Sequence, residues 1–273
     1  MTRNLLGFCS ISAMDRSLAA VAELAVANGL DGIEATARPP HVDPAAPLET
    51  HRETARAVHA TGATILAYGS YLGRAEIAGA GAADAEREVR VAEALGAPRV
   101  RVWAEPIAGA PEGGFAEVAA LMRSACDAAA GAGIDIVVER HGGSFADTPE
   151  RIERLFAAVD RPNFALNYQV IDLLPQSLAA AQPDDARRLI PLSRYFHLKN
   201  VRPAADGVGP MPPGATLAGG VFDYRAILAA AFEAGYAGPL AIEFLSWEPR
   251  PVDDKLADDA AWLRRTLAEL RKA

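Results

Sequence analysis

Eight short apolar runs, at residues 5–12, 31–36, 64–70, 99–105, 135–141, 163–169, 195–200 and 239–245, punctuate the chain, and stretches rich in Ala, Leu, Glu and Arg separate most of them. The runs are of strand length. The stretches between, such as DRSLAAVAELAVANG and TPERIERLFAAVD, place Leu, Val, Ile and Phe at three- and four-residue steps, the period of an amphipathic helix. Several of them finish in Gly, a common helix stop. Strand and helix in strict alternation predict a parallel sheet covered by helices. Eight such units in 273 residues predict one α/β domain over residues 1–273, a (β/α)8 TIM barrel. An open doubly wound sheet would use fewer strands and usually a Gly-rich phosphate loop after the first, and no G-x-G-x-x-G follows that run.

Composition narrows the function classes. About half the residues are hydrophobic, yet no segment approaches the roughly 20 apolar residues that span a bilayer. The opening MTRNLLGFCSIS lacks the apolar core and small-residue cleavage site of a signal peptide, so a soluble, cytoplasmic protein is expected. Cys9 and Cys126 show no motif spacing and read as reduced thiols. A net charge of −8 and no basic stretch interleaved with aromatics argue against a nucleic-acid partner.

In a barrel of this kind, catalytic groups sit at the C-terminal strand ends. The fifth run, DIVVERH, ends in Glu139 and His141, the sixth in Gln169, the seventh in His197, Lys199 and Asn200, and the eighth carries Glu243. Four consecutive strands thus deliver two carboxylates, an amide carbonyl and an imidazole, an O/N donor set that suits Mn²⁺, Mg²⁺ or Co²⁺ better than a thiolate-seeking metal. Taken singly, each residue is as well explained by solvation or a structural hydrogen bond. Glu34, Tyr68, Tyr71, Arg101, Trp103 and Glu105 fall on the expected rim, where the aromatics either stack on a sugar ring or pack under helices. Lys199 and Arg202 are candidates for a substrate carboxylate, hydroxyl or phosphate. The Pro- and Gly-rich connection at residues 201–220 reads as a lid or substrate loop or, alternatively, a disordered insertion, and Trp247 as a cap on the pocket or a contact to another subunit.

The chain resembles the xylose isomerase-like TIM barrels, specifically the sugar phosphate isomerase/epimerase group, over nearly its whole length. Three pieces carry the resemblance: VVERHGGSFADTPERIERLFAAVDRPNFAL, YFHLKN, and GGVFDYRAILAAAFEAGYAGPLAIEF. It implies a divalent metal, Mn²⁺ first and Mg²⁺ or Co²⁺ next, held by Glu139, the residue at 169, His197 and Glu243, with Glu139 and Glu243 also acting as the acid/base pair. His141, Lys199, Arg202, Trp103, Tyr68 and Glu34 are the substrate-binding candidates. One departure stands out. Where the family commonly carries a metal-binding Asp in an Asp-x-x-His pattern, this chain has Gln169, with Asp172 at the His position. A Gln carbonyl can still ligate, but the shell then carries one negative charge fewer and holds its ion less tightly. A competing registration puts Asn167 in the shell.

The resulting expectation is a metal-dependent isomerase or epimerase of a small sugar or polyol derivative, working by proton transfer through an enediolate. A dehydratase or lyase of a sugar-derived acid on the same site, or a metal-free sugar-binding member, are the alternatives. Barrels of this type often pair, so self-association is a further expectation.

Overall fold

Residues 3–74, 81–171, 176–202, 214–244 and 250–272 are described by a computed structural model. Strands β1 (Leu6–Cys9), β2 (Gly32–Thr36), β3 (Thr64–Gly69), β4 (Arg99–Val102), β5 (Asp135–Glu139), β6 (Phe164–Tyr168), β7 (Ser193–Leu198) and β10 (Leu240–Ile242) form a closed parallel barrel in the order β1-β10-β7-β6-β5-β4-β3-β2. A small antiparallel pair, β8 (Asn200–Val201) and β9 (Gly214–Ala215), sits beyond β7. The helices are α1 (Leu18–Ala27), α2 (Leu48–Ala60), α3 (Ala82–Leu95), α4 (Phe115–Ala129), α5 (Pro149–Val159), α6 (Gln182–Leu189), α7 (Tyr224–Glu233) and α8 (Val252–Leu270). This is the (β/α)8 arrangement that the alternation predicts, and among the described residues no helix is long and apolar enough to cross a membrane.

Local chemistry sets the element limits. α5 begins where the Thr148 hydroxyl accepts from the Arg151 amide with Pro149 in the first turn, and it ends at Asp160 in the left-handed region. The ladders are shorter than the apolar runs: the fourth run covers 99–105, whereas β4 stops at Val102. Beyond that point the backbone turns to loop partners, the Trp103 amide donating to the Leu72 carbonyl at 2.8 Å. Gly73 permits this approach, since its φ is +83° and a Cβ there would lie 1.9 Å from the Trp103 carbonyl oxygen.

Two cores result. The larger lies between barrel and helices, and a smaller one fills the barrel itself with Cys9, Leu66, Ala67, Val137, Ala165, Tyr195 and Ala241. Leu66 and Ala67 both face inward because β3 carries a bulge, Ile33 pairing with Ile65 but Glu34 with Ala67. The extra residue reverses the alternation that follows. Tyr68 therefore points to the helix layer, where its hydroxyl donates to Glu88 at 2.8 Å, and not to the mouth as expected of a substrate contact.

Candidate functional site

The inward alternation of strands β4 to β7 and β10 raises a column of polar side chains from the apolar plug to the C-terminal mouth. Register sets their neighbours: Glu139 pairs with Asn167, and Ile242 with Leu198, which brings Glu243 beside Lys199. Six of these side chains (Arg101, Glu139, Asn167, Gln169, His197 and Glu243) are buried with Glu34. Such polar burial is tolerated only where partners exist.

Those partners form a chain across the barrel. His197 Nε2 lies 2.7 Å from Glu34 Oε2, and Asn167 Nδ2 lies 3.1 Å from His197 Nδ1. With Nε2–H donated to Glu34, Nδ1 is the acceptor and faces the mouth, 3.6 Å from Glu243 Oε1. Burial alone would depress the His197 imidazolium, but the carboxylates of Glu34 and Glu243 outweigh it and hold its pKa above the ordinary value. Burial likewise opposes ionisation of Glu34, yet His197 and Arg101 bring that carboxyl down to about 2. Glu34 is fully buried, with its carboxylate engaged by His197 and Arg101.

Arg101 is the residue that sequence reasoning left on the rim. Its guanidinium lies 3.4 Å from Glu34 Oε1 and 3.1 Å from Glu139 Oε2, and donates to the Ser70 carbonyl at 3.1 Å. Room for it comes from Gly69, where a Cβ would stand 2.5 Å from Glu34 Oε1 and 3.0 Å from Arg101 Nη2. The guanidinium carbons of Arg74 and Arg101 lie over the Trp103 ring, 4.3 and 4.9 Å from its centroid, and that ring meets His141 edge-on at 4.9 Å. The signal in the sequence is the spacing of Arg99, Arg101 and Trp103, which share one strand face. Lys199 is buried, its Nζ 3.5 Å from Glu243 Oε2, whereas Arg202, directly after β8, is exposed. Asp172, Trp247 and residues 203–213 of the long connection lie outside the described residues.

Three buried acceptors at this mouth, Glu139 Oε2, Asn167 Oδ1 and Gln169 Oε1, receive no hydrogen bond. Gln169 instead turns its amide nitrogen to Glu139 Oε1 at 2.8 Å and to the Arg140 carbonyl at 2.6 Å. Close by, Cys9, His197 and Glu243 each offer a ligand atom within 4.8 Å of the others. Buried acceptors without a hydrogen bond call for a cation or for substrate hydroxyls, and although Glu139 Oε2 also has Arg101 Nε at 3.1 Å, the donor set fits a divalent ion.

A closed parallel barrel with buried polar and charged side chains at its C-terminal mouth defines a TIM-barrel protein. Residues 22–266 match the family model for the xylose isomerase-like TIM barrel, and the chain belongs to that family. Solved structures with the same fold include the probable 3-DHS dehydratase AsbF of Bacillus anthracis, involved in petrobactin synthesis (TM-score 0.73, 20% identity, 95% of this chain and 98% of that one). A xylose isomerase-like TIM barrel protein of Mycobacterium smegmatis, in complex with magnesium, gives a TM-score of 0.72 at 18% identity over 98% and 97% of the two chains. D-allulose 3-epimerase of Methylomonas sp., in complex with D-allulose, gives 0.72 at 19% identity over 97% of each. Among curated proteins none matches.

Proposed function

We propose that the protein is a divalent-metal-dependent isomerase or epimerase of a small sugar or sugar derivative, a cytoplasmic enzyme of carbohydrate metabolism that shuttles a carbon-bound proton between Glu139 and Glu243. The observation that carries this reading is the position of those two carboxylates, on β5 and just after β10, beside three buried oxygens, Glu139 Oε2, Asn167 Oδ1 and Gln169 Oε1, that receive no hydrogen bond. Glu139, Gln169, His197 and Glu243 would hold the ion, and an O/N set with two carboxylates favours Mn²⁺, with Mg²⁺ or Co²⁺ as substitutes. When bound, the ion supplies Lewis-acid charge that polarises a substrate carbonyl.

The chain's own residues do the rest. One glutamate removes the proton beside the carbonyl and the other returns it to the enediolate of the substrate. Glu34 holds the His197 ring through Nε2, and Nδ1, which has Asn167 Nδ2 at 3.1 Å, lies 3.6 Å from Glu243 Oε1. Trp103 and His141, in edge-on contact, are the aromatic groups that would border a bound sugar. A second reading, dehydration of a sugar-derived acid, is favoured by Lys199, whose Nζ beside Glu243 is placed to protonate a departing hydroxyl. It shares the first proton removal.

Turnover in D₂O on a panel of ketoses and hydroxy acids separates these readings. Deuterium on the carbon beside the carbonyl is expected of the isomerase, and an unsaturated product of the dehydratase. Glu139→Gln and Glu243→Gln should each lose about 10²–10⁴-fold in turnover. Deuterium-free product together with near-normal turnover in both variants would sink the two-glutamate mechanism.

A further inference from the structure

We infer that Arg101 competes with the divalent ion for Glu139, so that this mouth exchanges its metal readily instead of holding it as a permanent cofactor. The inference rests on Glu139 being a ligand, as proposed above. Each carboxylate of the proposed shell already faces a cation of the protein: Glu139 Oε2 has Arg101 Nε at 3.1 Å, and Glu243 Oε2 has Lys199 Nζ at 3.5 Å. Gln169 adds no charge at the third position. Each shell carboxylate thus has a cation beside it before any ion arrives, Arg101 being shared with Glu34, whereas a carboxylate at 169 would add a negative charge to the shell.

The guanidinium is also held where it cannot step aside. It donates to the Ser70 carbonyl, bonds to Glu34 at 3.4 Å, and lies 4.9 Å from the Trp103 ring centroid and 5.8 Å from that of Tyr71. Glu139 Oε2, although close, receives no hydrogen bond from it. Glu139 is therefore attracted by charge alone and can turn to an ion without dismantling the anchorage of Arg101. The ion it meets must bind beside a fixed positive charge in a water-poor mouth, where Coulomb repulsion is weakly screened.

Isothermal titration of chelator-stripped full-length protein with Mn²⁺ tests this. Arg101→Gln, which keeps N–H groups for Ser70 and Glu34, is expected to lower the Kd by about tenfold or more. Arg101→Lys keeps the charge and should stay within about threefold of wild type. Arg101→Met, similar in bulk, serves in place of the glutamine variant if circular dichroism shows the latter misfolded. Adding Glu139→Gln to either neutral variant should abolish the gain. Unchanged Kd in the neutral variants, with binding lost in Glu139→Gln alone, would overturn the role of Arg101 and leave the metal reading standing. No Mn²⁺ binding by wild type or any Arg101 variant would overturn both.

Discussion

His197 and Glu34 show how single residues set the working range of the mouth. The Glu34 carboxyl is drawn from 4.5 to about 2, so its stabilising contribution is complete above its unfolded value and is lost as pH falls toward 2. His197 is shifted the other way, upward from 6.5, so its contribution is complete below that value and is lost as pH rises through the folded one. Together they give a plateau between about pH 4.5 and 6.5. Urea unfolding of chelator-treated wild type and Glu34→Gln across pH 3–9 should show a stability difference that is largest on that plateau and shrinks on both sides. A difference independent of pH would mean that the two groups are not coupled. Gln169→Asp is the complementary change. It places a second carboxylate where an amide now donates to Glu139 at 2.8 Å, so the metal-free protein should melt lower. Added Mn²⁺ should then raise its Tm more than that of wild type, by on the order of 1–3 kcal/mol of extra binding. An equal Mn²⁺ response in the two proteins would place residue 169 outside the shell.

At the scale of elements, β3 decides what reaches the mouth. Its bulge turns Tyr68 outward and leaves Gly69 facing the Arg101–Glu34 pair. Gly69→Ala puts a methyl group into that contact and should cost about 1–3 kcal/mol, read as a fall in Tm. A Tm equal to wild type would show that Arg101 and Glu34 move aside freely. The same strand marks the limit of what sequence could tell. Strand–helix alternation was legible because each element carries its own period, and the strand-end positions of Glu139, His197 and Glu243 were legible because polar groups ending apolar runs stand out. Tyr68 was misplaced because a bulge is a property of two paired strands, written in neither alone. Arg101 was undervalued for a similar reason. Its burial depends on the absent side chain at Gly69 and the carboxylate of Glu34, which come from two other strands, while on its own strand it looks like an ordinary rim arginine.

For the whole molecule, the question is how the last strand is held against the first. Phe244, next to Glu243, packs on Phe8 at 5.4 Å, and its amide donates to the Ser12 hydroxyl at 2.9 Å. From the other side, α8 sends in Lys255, whose Nζ lies 4.2 Å from the Phe244 ring centroid and 2.6 Å from Asp259 Oδ2. Asp259 Oδ1 in turn accepts from the Leu217 amide at 2.7 Å, tying the segment after β9 to the same helix. Both charges are buried. Burial raises the Asp259 carboxyl despite the neighbouring Lys255, the mark of a pair whose desolvation is only partly offset. Lys255→Met removes the cation and leaves a buried carboxylate alone, which should cost about 3–5 kcal/mol near neutral pH. Adding Asp259→Leu should recover much of that loss, short of about 1–3 kcal/mol for the Leu217 amide left without its acceptor. The single variant carries a further signature. Without Lys255 the carboxyl rises further, and a raised acid favours folding below its unfolded value and loses that advantage as pH climbs. Urea melts of Lys255→Met should therefore approach wild type as pH is lowered from 7 toward 4, while the double variant, which has no carboxyl at 259, shows no such approach. A loss in Lys255→Met that does not depend on pH would assign the role of this residue to packing on Phe244 and not to its charge.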